Sequence, residues 1–148
     1  MRPIHVIAQF GTRVAQGGLG AARLGAGLIV NLGRGFELEP AVNLLVPGLG
    51  AGDQPSGTQA VMAVRLRPFG AGSLWYVGTG GSYLSLTETG AASTGTFLRE
   101  GLSHVALSGV TLPIGGSAQP FAELHVLDPL RPSRVQWLVV VGMAFRLH

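Results

Sequence analysis

Cysteine and lysine are both missing from this chain of 148 residues. The first absence removes disulfide frameworks and thiolate chemistry, and it is compatible with an oxidising envelope compartment. The second leaves arginine as the source of all ten basic charges. Charge of either sign is scarce: 11% of residues carry one, against about a quarter in an ordinary soluble domain. A net charge of +3 would attract nucleic acid if it were concentrated, but the arginines are scattered singly along predicted strands, so no nucleic-acid partner is expected. Long apolar runs are missing as well. The longest, Trp137 to Phe145, is nine residues, where a membrane helix needs about 18 or more. What the chain has instead is 24 glycines and a mean hydropathy of +0.41. With so little charge and no spanning helix, a closed β-barrel is the remaining way to satisfy backbone hydrogen bonds inside lipid.

The glycines are punctuation. Three tight turns, Leu32-Gly33-Arg34-Gly35-Phe36, Phe69-Gly70-Ala71-Gly72-Ser73 and Ile114-Gly115-Gly116-Ser117-Ala118, alternate with connections at Ala15 to Gly20, Pro47 to Thr58, Glu88 to Gly101 and Asp128 to Ser133. Short turns on one side and longer loops on the other are the pattern of an up-and-down membrane barrel. No change in composition divides the chain, so residues 1–148 read as one domain. Met1-Arg2-Pro3 leads straight into a predicted strand with no apolar leader, so the sequence reads as a mature or trimmed chain.

Alternation within the strands separates two faces. In the first strand Ile4, Val6, Ala8, Phe10, Thr12 and Val14 oppose His5, Gln9, Gly11 and Arg13, with Ile7 the exception. In the second, Ala22, Leu24, Ala26, Leu28, Val30 and Leu32 oppose Arg23, Gly25, Gly27, Ile29 and Asn31. The third sets Phe36, Leu38, Pro40, Val42 and Leu44 against Glu37, Glu39, Ala41 and Asn43; the fourth sets Ala60, Met62, Val64 and Leu66 against Gln59, Ala63, Arg65 and Arg67. The last is sharpest, with Val135, Trp137, Val139, Val141, Met143, Phe145 and Leu147 on one side. Strands five (Leu74 to Thr87), six (Leu102 to Ile114) and seven (Gln119 to Leu127) rest more on spacing and turns. Pro40 removes a ladder donor inside strand three, which predicts a bulge or a late strand start. The sum is an all-β, eight-stranded antiparallel up-and-down transmembrane β-barrel.

The run Ala26-Gly27-Leu28-Ile29-Val30-Asn31-Leu32-Gly33-Arg34-Gly35-Phe36-Glu37-Leu38-Glu39-Pro40 and the closing Val141-Gly142-Met143-Ala144-Phe145-Arg146-Leu147-His148 resemble the small eight-stranded OmpA-type barrels of the outer-membrane β-barrel protein family. The resemblance implies a fold and a bacterial outer membrane, with its lipids as partners, and no fixed catalytic residues.

Parity and depth gather Glu37, Glu39, Arg65, Arg67, Glu123 and Arg146 near the inner mouth, where an internal ion-pair network is expected. Because an eight-stranded barrel is only wide enough for side chains or one small ligand, the network reads as a salt-bridged plug in preference to a gate, and a diffusion pore is not expected. The expected role is structural or interactive: envelope stabilisation, or anchoring a protein partner or larger assembly. The alternative is a carrier of a small hydrophobic ligand, with the glycines at Gly78, Gly80 and Gly81 leaving an opening in the wall. A lipid-modifying enzyme would have to draw on Glu100, Ser103, His104 and Ser108. Adjacent Ser103 and His104 face opposite ways in a strand, and His104 lies about 13 Å from Ser108 along one face, so no activated nucleophile and no enzyme is expected. His5, His125 and His148 share lumen parity but are more readily solvated or paired with carboxylates, so no metal or other cofactor is expected. Phe36, Phe69, Trp75, Tyr76, Phe121 and Phe145 near the turns, with Phe10, Tyr83 and Trp137 nearer the loops, are expected as two interfacial girdles.

Overall fold

In the computed structural model, which describes residues 4–15, 18–46, 56–70, 72–87, 100–114 and 116–147, eight strands close into a barrel in chain order. They are β1 (Ile4–Ala15), β2 (Gly18–Gly33), β3 (Phe36–Val46), β4 (Gly57–Leu66), β5 (Trp75–Leu86), β6 (Gly101–Thr111), β7 (Ala118–Leu127) and β8 (Gln136–Leu147). Every neighbouring pair is antiparallel, and β8 returns to β1 along an unbroken register from Ile4↔Leu147 to Val14↔Trp137. Closure matters physically because it leaves no strand edge with unpaired N–H and C=O groups.

Ile4 and Leu147 lie at the same end of the barrel as the β2–β3, β4–β5 and β6–β7 turns, here the turn end; the opposite end, to which β1–β2 and β7–β8 connect, is the loop end. The sharpest turn joins β2 to β3, where Gly33, Arg34 and Gly35 all take left-handed backbone angles (φ 93°, 55° and 83°). Such angles cost a residue with a Cβ and suit glycine. At the loop end the β1–β2 ladder extends to Ala15↔Gly18, so the first connection is shorter than the expected Ala15 to Gly20. Likewise Gly57, Thr58 and Gly101, expected in loops, belong to strands. The stretches 47–55 and 88–99 of the two longest expected connections lie outside the described residues. Between β7 and β8 the chain makes a 3-10 turn at Pro132–Arg134.

Pro40 produces neither a bulge nor a late start. β3 begins at Phe36, Pro40 pairs in register with Met62 of β4, and β2 keeps one register from Val30↔Leu38 to Gly27↔Ala41. The irregularity between β2 and β3 falls instead between Asn31 and Gly33, at the turn. The missing N–H is thus absorbed as a local lapse in one ladder, because the β4 side holds the strand in place.

The two faces separate as alternation predicts. Leu24, Val42, Leu44, Met62, Tyr83, Val139 and Val141 point outward and are exposed. Arg23, Glu37, Glu39, Gln59, Arg65 and Glu123 point inward and are buried. The interior is not uniformly polar: Ile7, Ile29, Ala41, Val61, Phe121, Val140 and Ala144 form an apolar cluster within it. Ile7, the exception in the first strand's pattern, is therefore a lumen core residue. An exposed apolar belt around a buried polar interior inverts a soluble barrel and matches a barrel solvated by lipid.

Candidate functional site in the barrel lumen

Within the lumen three ionisable side chains from three strands meet. Arg65 on β4 contacts Glu39 of β3 through Nε and Glu123 of β7 through Nη2, and both Arg65 and Glu39 are 1% exposed. β3 and β4 place this pair two positions apart, since Arg65 lies directly opposite Glu37 and Glu39 opposite Ala63. Glu123 comes from across the barrel, and its carboxylate serves three groups. Oε1 accepts from the Tyr76 hydroxyl at 2.6 Å and faces Arg65, while Oε2 lies 2.5 Å from His125 Nε2.

Aromatic faces complete the layer. The Arg65 guanidinium carbon lies 4.7 Å from the Tyr76 ring centroid and 5.8 Å from that of Phe121, and Arg67 lies 5.0 Å from Tyr76 on its own account. Cations over aromatic faces are favoured electrostatically, more so when shielded from water. Both rings point into the lumen and are buried, so Tyr76 and Phe121 do not belong to the girdle expected for them. Their place there is physical: a guanidinium layer needs flat apolar neighbours, and inward parity from Trp75↔Val110 onward gives Tyr76 that position. Phe36, Trp75 and Phe145 at the turn end, and Tyr83 and Trp137 at the loop end, do face outward. Phe10, opposite Leu24 and Val141, sits nearer mid-height than the loop end.

A second ion pair lies closer to the turn end. Arg67 Nε donates to Glu37 Oε1 at 2.9 Å, Nη1 to the Ser73 carbonyl at 2.6 Å and Nη2 to Thr111 Oγ1 at 3.3 Å. This one side chain ties β3, the β4–β5 turn and β6 together. Arg146, expected in the same network, is exposed and makes no ion pair among the described residues; it lines a cavity of about 360 Å³ at the turn end, together with His5, Glu37, Arg65 and Arg67. Its position one residue before the end of β8, at the rim, explains why it stays wet. A far smaller cavity, about 10 Å³, lies toward the loop end beside Arg23 and His125. The layer of Glu39, Arg65, Glu123 and Tyr76 separates the two.

The other candidate groups are not assembled. Ser103 points inward and His104 outward, where its Nε2 lies 2.8 Å from Thr79 Oγ1. Ser108 Oγ accepts from Trp75 Nε1 at 2.9 Å, and Glu100 Oε1 accepts the Leu86 amide at 2.8 Å. No acid, base and nucleophile of this set touch one another. His5 and His125 are opposite Arg146 and Leu138, eight positions apart along β8, and among the described residues no group of three potential ligands gathers; His148 lies outside them. The β4–β5 and β5–β6 ladders run without interruption through Gly78, Gly80 and Gly81, so the expected wall opening is not there.

No family model matches the chain, and no curated protein matches it. Solved structures do share its fold. The N-terminal β-barrel domain of OprF from Pseudomonas aeruginosa is similar with a TM-score of 0.74 at 14% identity, covering 99% of this chain and 98% of that one. The outer membrane protein Ail of Yersinia pestis, determined in a phospholipid bilayer nanodisc, has a TM-score of 0.59 at 7% identity, covering 99% of this chain and 100% of that one. The de novo designed TMB2.3 is similar with a TM-score of 0.60 at 11% identity over 99% and 97% of the two chains. At these identities the likeness is one of fold, and with the exposed apolar belt it gives this chain the fold of an eight-stranded membrane β-barrel, the fold these outer-membrane proteins share.

Proposed function

We propose that the chain is a non-conducting structural or interaction barrel of a bacterial outer membrane, stabilising the envelope or anchoring a protein partner, with the lumen network of Glu37, Glu39, Arg65, Arg67 and Glu123 as its internal plug. The observation that carries this reading is the buried layer formed by Glu39, Arg65, Glu123 and Tyr76, which lies between the turn-end cavity and the small cavity beside Arg23. A charge cluster with every member engaged, in an eight-stranded cylinder, holds opposite walls together and leaves little room for a solute. The cavity of about 360 Å³ at the turn end is a blind cup above that layer, not the start of a channel. The outward belt gives the chain its lipid contacts.

The test is electrical. Wild-type protein and Arg65→Gln are reconstituted in planar bilayers, and their unfolding by urea is followed in detergent. Lower stability with current at background level supports the plug. A large new current in Arg65→Gln overturns it in favour of a gate.

A further inference from the structure

The two halves of the lumen differ in charge. Toward the turn end, Arg65, Arg67 and Arg146 are matched in number by Glu37, Glu39 and Glu123. Toward the loop end Arg23 is buried, a second cation, Arg13, is close enough to act on it, and among the described residues neither takes part in an ion pair.

Arg23 is 3% exposed. Its Nη1 donates to Gln59 Oε1, while its Nε and Nη2 are buried without a hydrogen-bond partner. The amides around it are already occupied with one another: Gln59 Oε1 also accepts from Asn43 Nδ2 at 3.4 Å, and Asn43 Oδ1 accepts from Gln9 Nε2 at 2.7 Å. Two donors of a full positive charge therefore remain unmet in a water-poor interior, an arrangement that is costly unless a counter-charge is supplied. The cavity of about 10 Å³ beside Arg23 is lined by these amides and by aliphatic side chains, with no carboxylate among its walls, and its size suits one small occupant. His125 also reaches it, with Nε2 engaged by Glu123. A water molecule there would meet the hydrogen bonds and leave the charge uncompensated; a monovalent anion meets both needs.

We propose that Arg23, with Arg13 adding a second positive charge, holds a chloride-sized inorganic anion at the loop end of the lumen. The plug is balanced by its own carboxylates, and the anion offsets one of the two unmatched positive charges at the loop end.

The full chain folded in detergent tests this by urea unfolding at fixed ionic strength, in sodium chloride against sodium gluconate. A site that binds chloride in the folded state alone raises the folding equilibrium constant about tenfold when chloride is at about ten times its dissociation constant. The wild-type midpoint is expected to be higher in chloride, Arg13→Gln to reduce the difference and Arg23→Gln to abolish it. Should Arg23→Gln fail to fold, wild-type crystals grown in sodium bromide decide the matter: an anomalous peak beside Arg23 Nε and Nη2 supports the site. Absence of both the chloride effect and the bromide peak overturns it. So does loss of stability in Asp53→Asn or Glu88→Gln with no halide effect in wild type, since a carboxylate of the chain would then neutralise Arg23.

Discussion

Tyr76 sits between two guanidiniums, with its hydroxyl on Glu123, and it can do so because the residue opposite it on β6 is Gly109. A Cβ at Gly109 would lie 2.7 Å from both the Tyr76 ring and Glu123 Cγ, so the layer must shift to admit it. Gly109→Ala is expected to destabilise the barrel by about 1–3 kcal/mol, read as a lower urea midpoint in detergent. Arg65→Gln strands Glu39 and Glu123 without their cation and should cost about 3–5 kcal/mol, whereas Arg34→Gln on the exposed turn should stay within about 0.5 kcal/mol. At this scale the sequence announced the charges better than their surroundings. Glu37, Glu39, Arg65, Arg67 and Glu123 share inward parity, and for the four on or beside β3 and β4 that parity is visible in alternation alone. Whether Trp75 or Tyr76 turns inward depends on where β5 joins its ladder, which no local pattern fixes. Phe121 did carry the signal, because it shares parity with Glu123 and His125.

The β2–β3 hairpin shows how an element is fixed by its turn. Gly35 takes φ 83°, its carbonyl accepts the Arg67 amide at 2.8 Å, and an added Cβ would come within 2.7 Å of the Arg67 carbonyl oxygen. Gly35→Ala is therefore expected to cost about 1–3 kcal/mol, measurable as a reduced folding yield and urea midpoint. β8 tests the outward face instead. Val141 lies at the middle of its strand and points outward, so Val141→Arg should lower stability in lipid vesicles by about 2–4 kcal/mol. Gln119→Glu, on the wall of the turn-end cavity, should change it by no more than about 0.5 kcal/mol. Equal effects would contradict the assignment of the two faces. Strands with clean alternation, such as β3, β4 and β8, were legible to within a few residues. β6 and β7 were harder to read because their inward faces are themselves apolar at Val105, Leu107, Phe121 and Leu127, which blurs a two-residue period.

The molecule as a whole depends on one long-range event, the pairing of its first strand with its last. Because the chain has no cysteine of its own, that seam can be probed without background. Ala8 and Met143 are register partners, so Ala8→Cys with Met143→Cys should cross-link on mild oxidation of the folded protein, while Ala8→Cys with Ala144→Cys should not, its second side chain facing the other way. A reversed result would mean a slipped seam. The closed topology was legible because turn spacing, strand count and scarce charge all pointed to the same solution; the contents of the lumen were less so, since they depend on which walls come to face each other across it. The placement of the two tryptophans carries a practical corollary. Trp75 begins β5 at one rim, Trp137 lies at the start of β8 near the other, and both indoles look outward. The barrel thus carries a native fluorescent gauge at each bilayer surface: bromine placed high on the acyl chains should quench its emission strongly, and bromine near the terminal methyls only weakly.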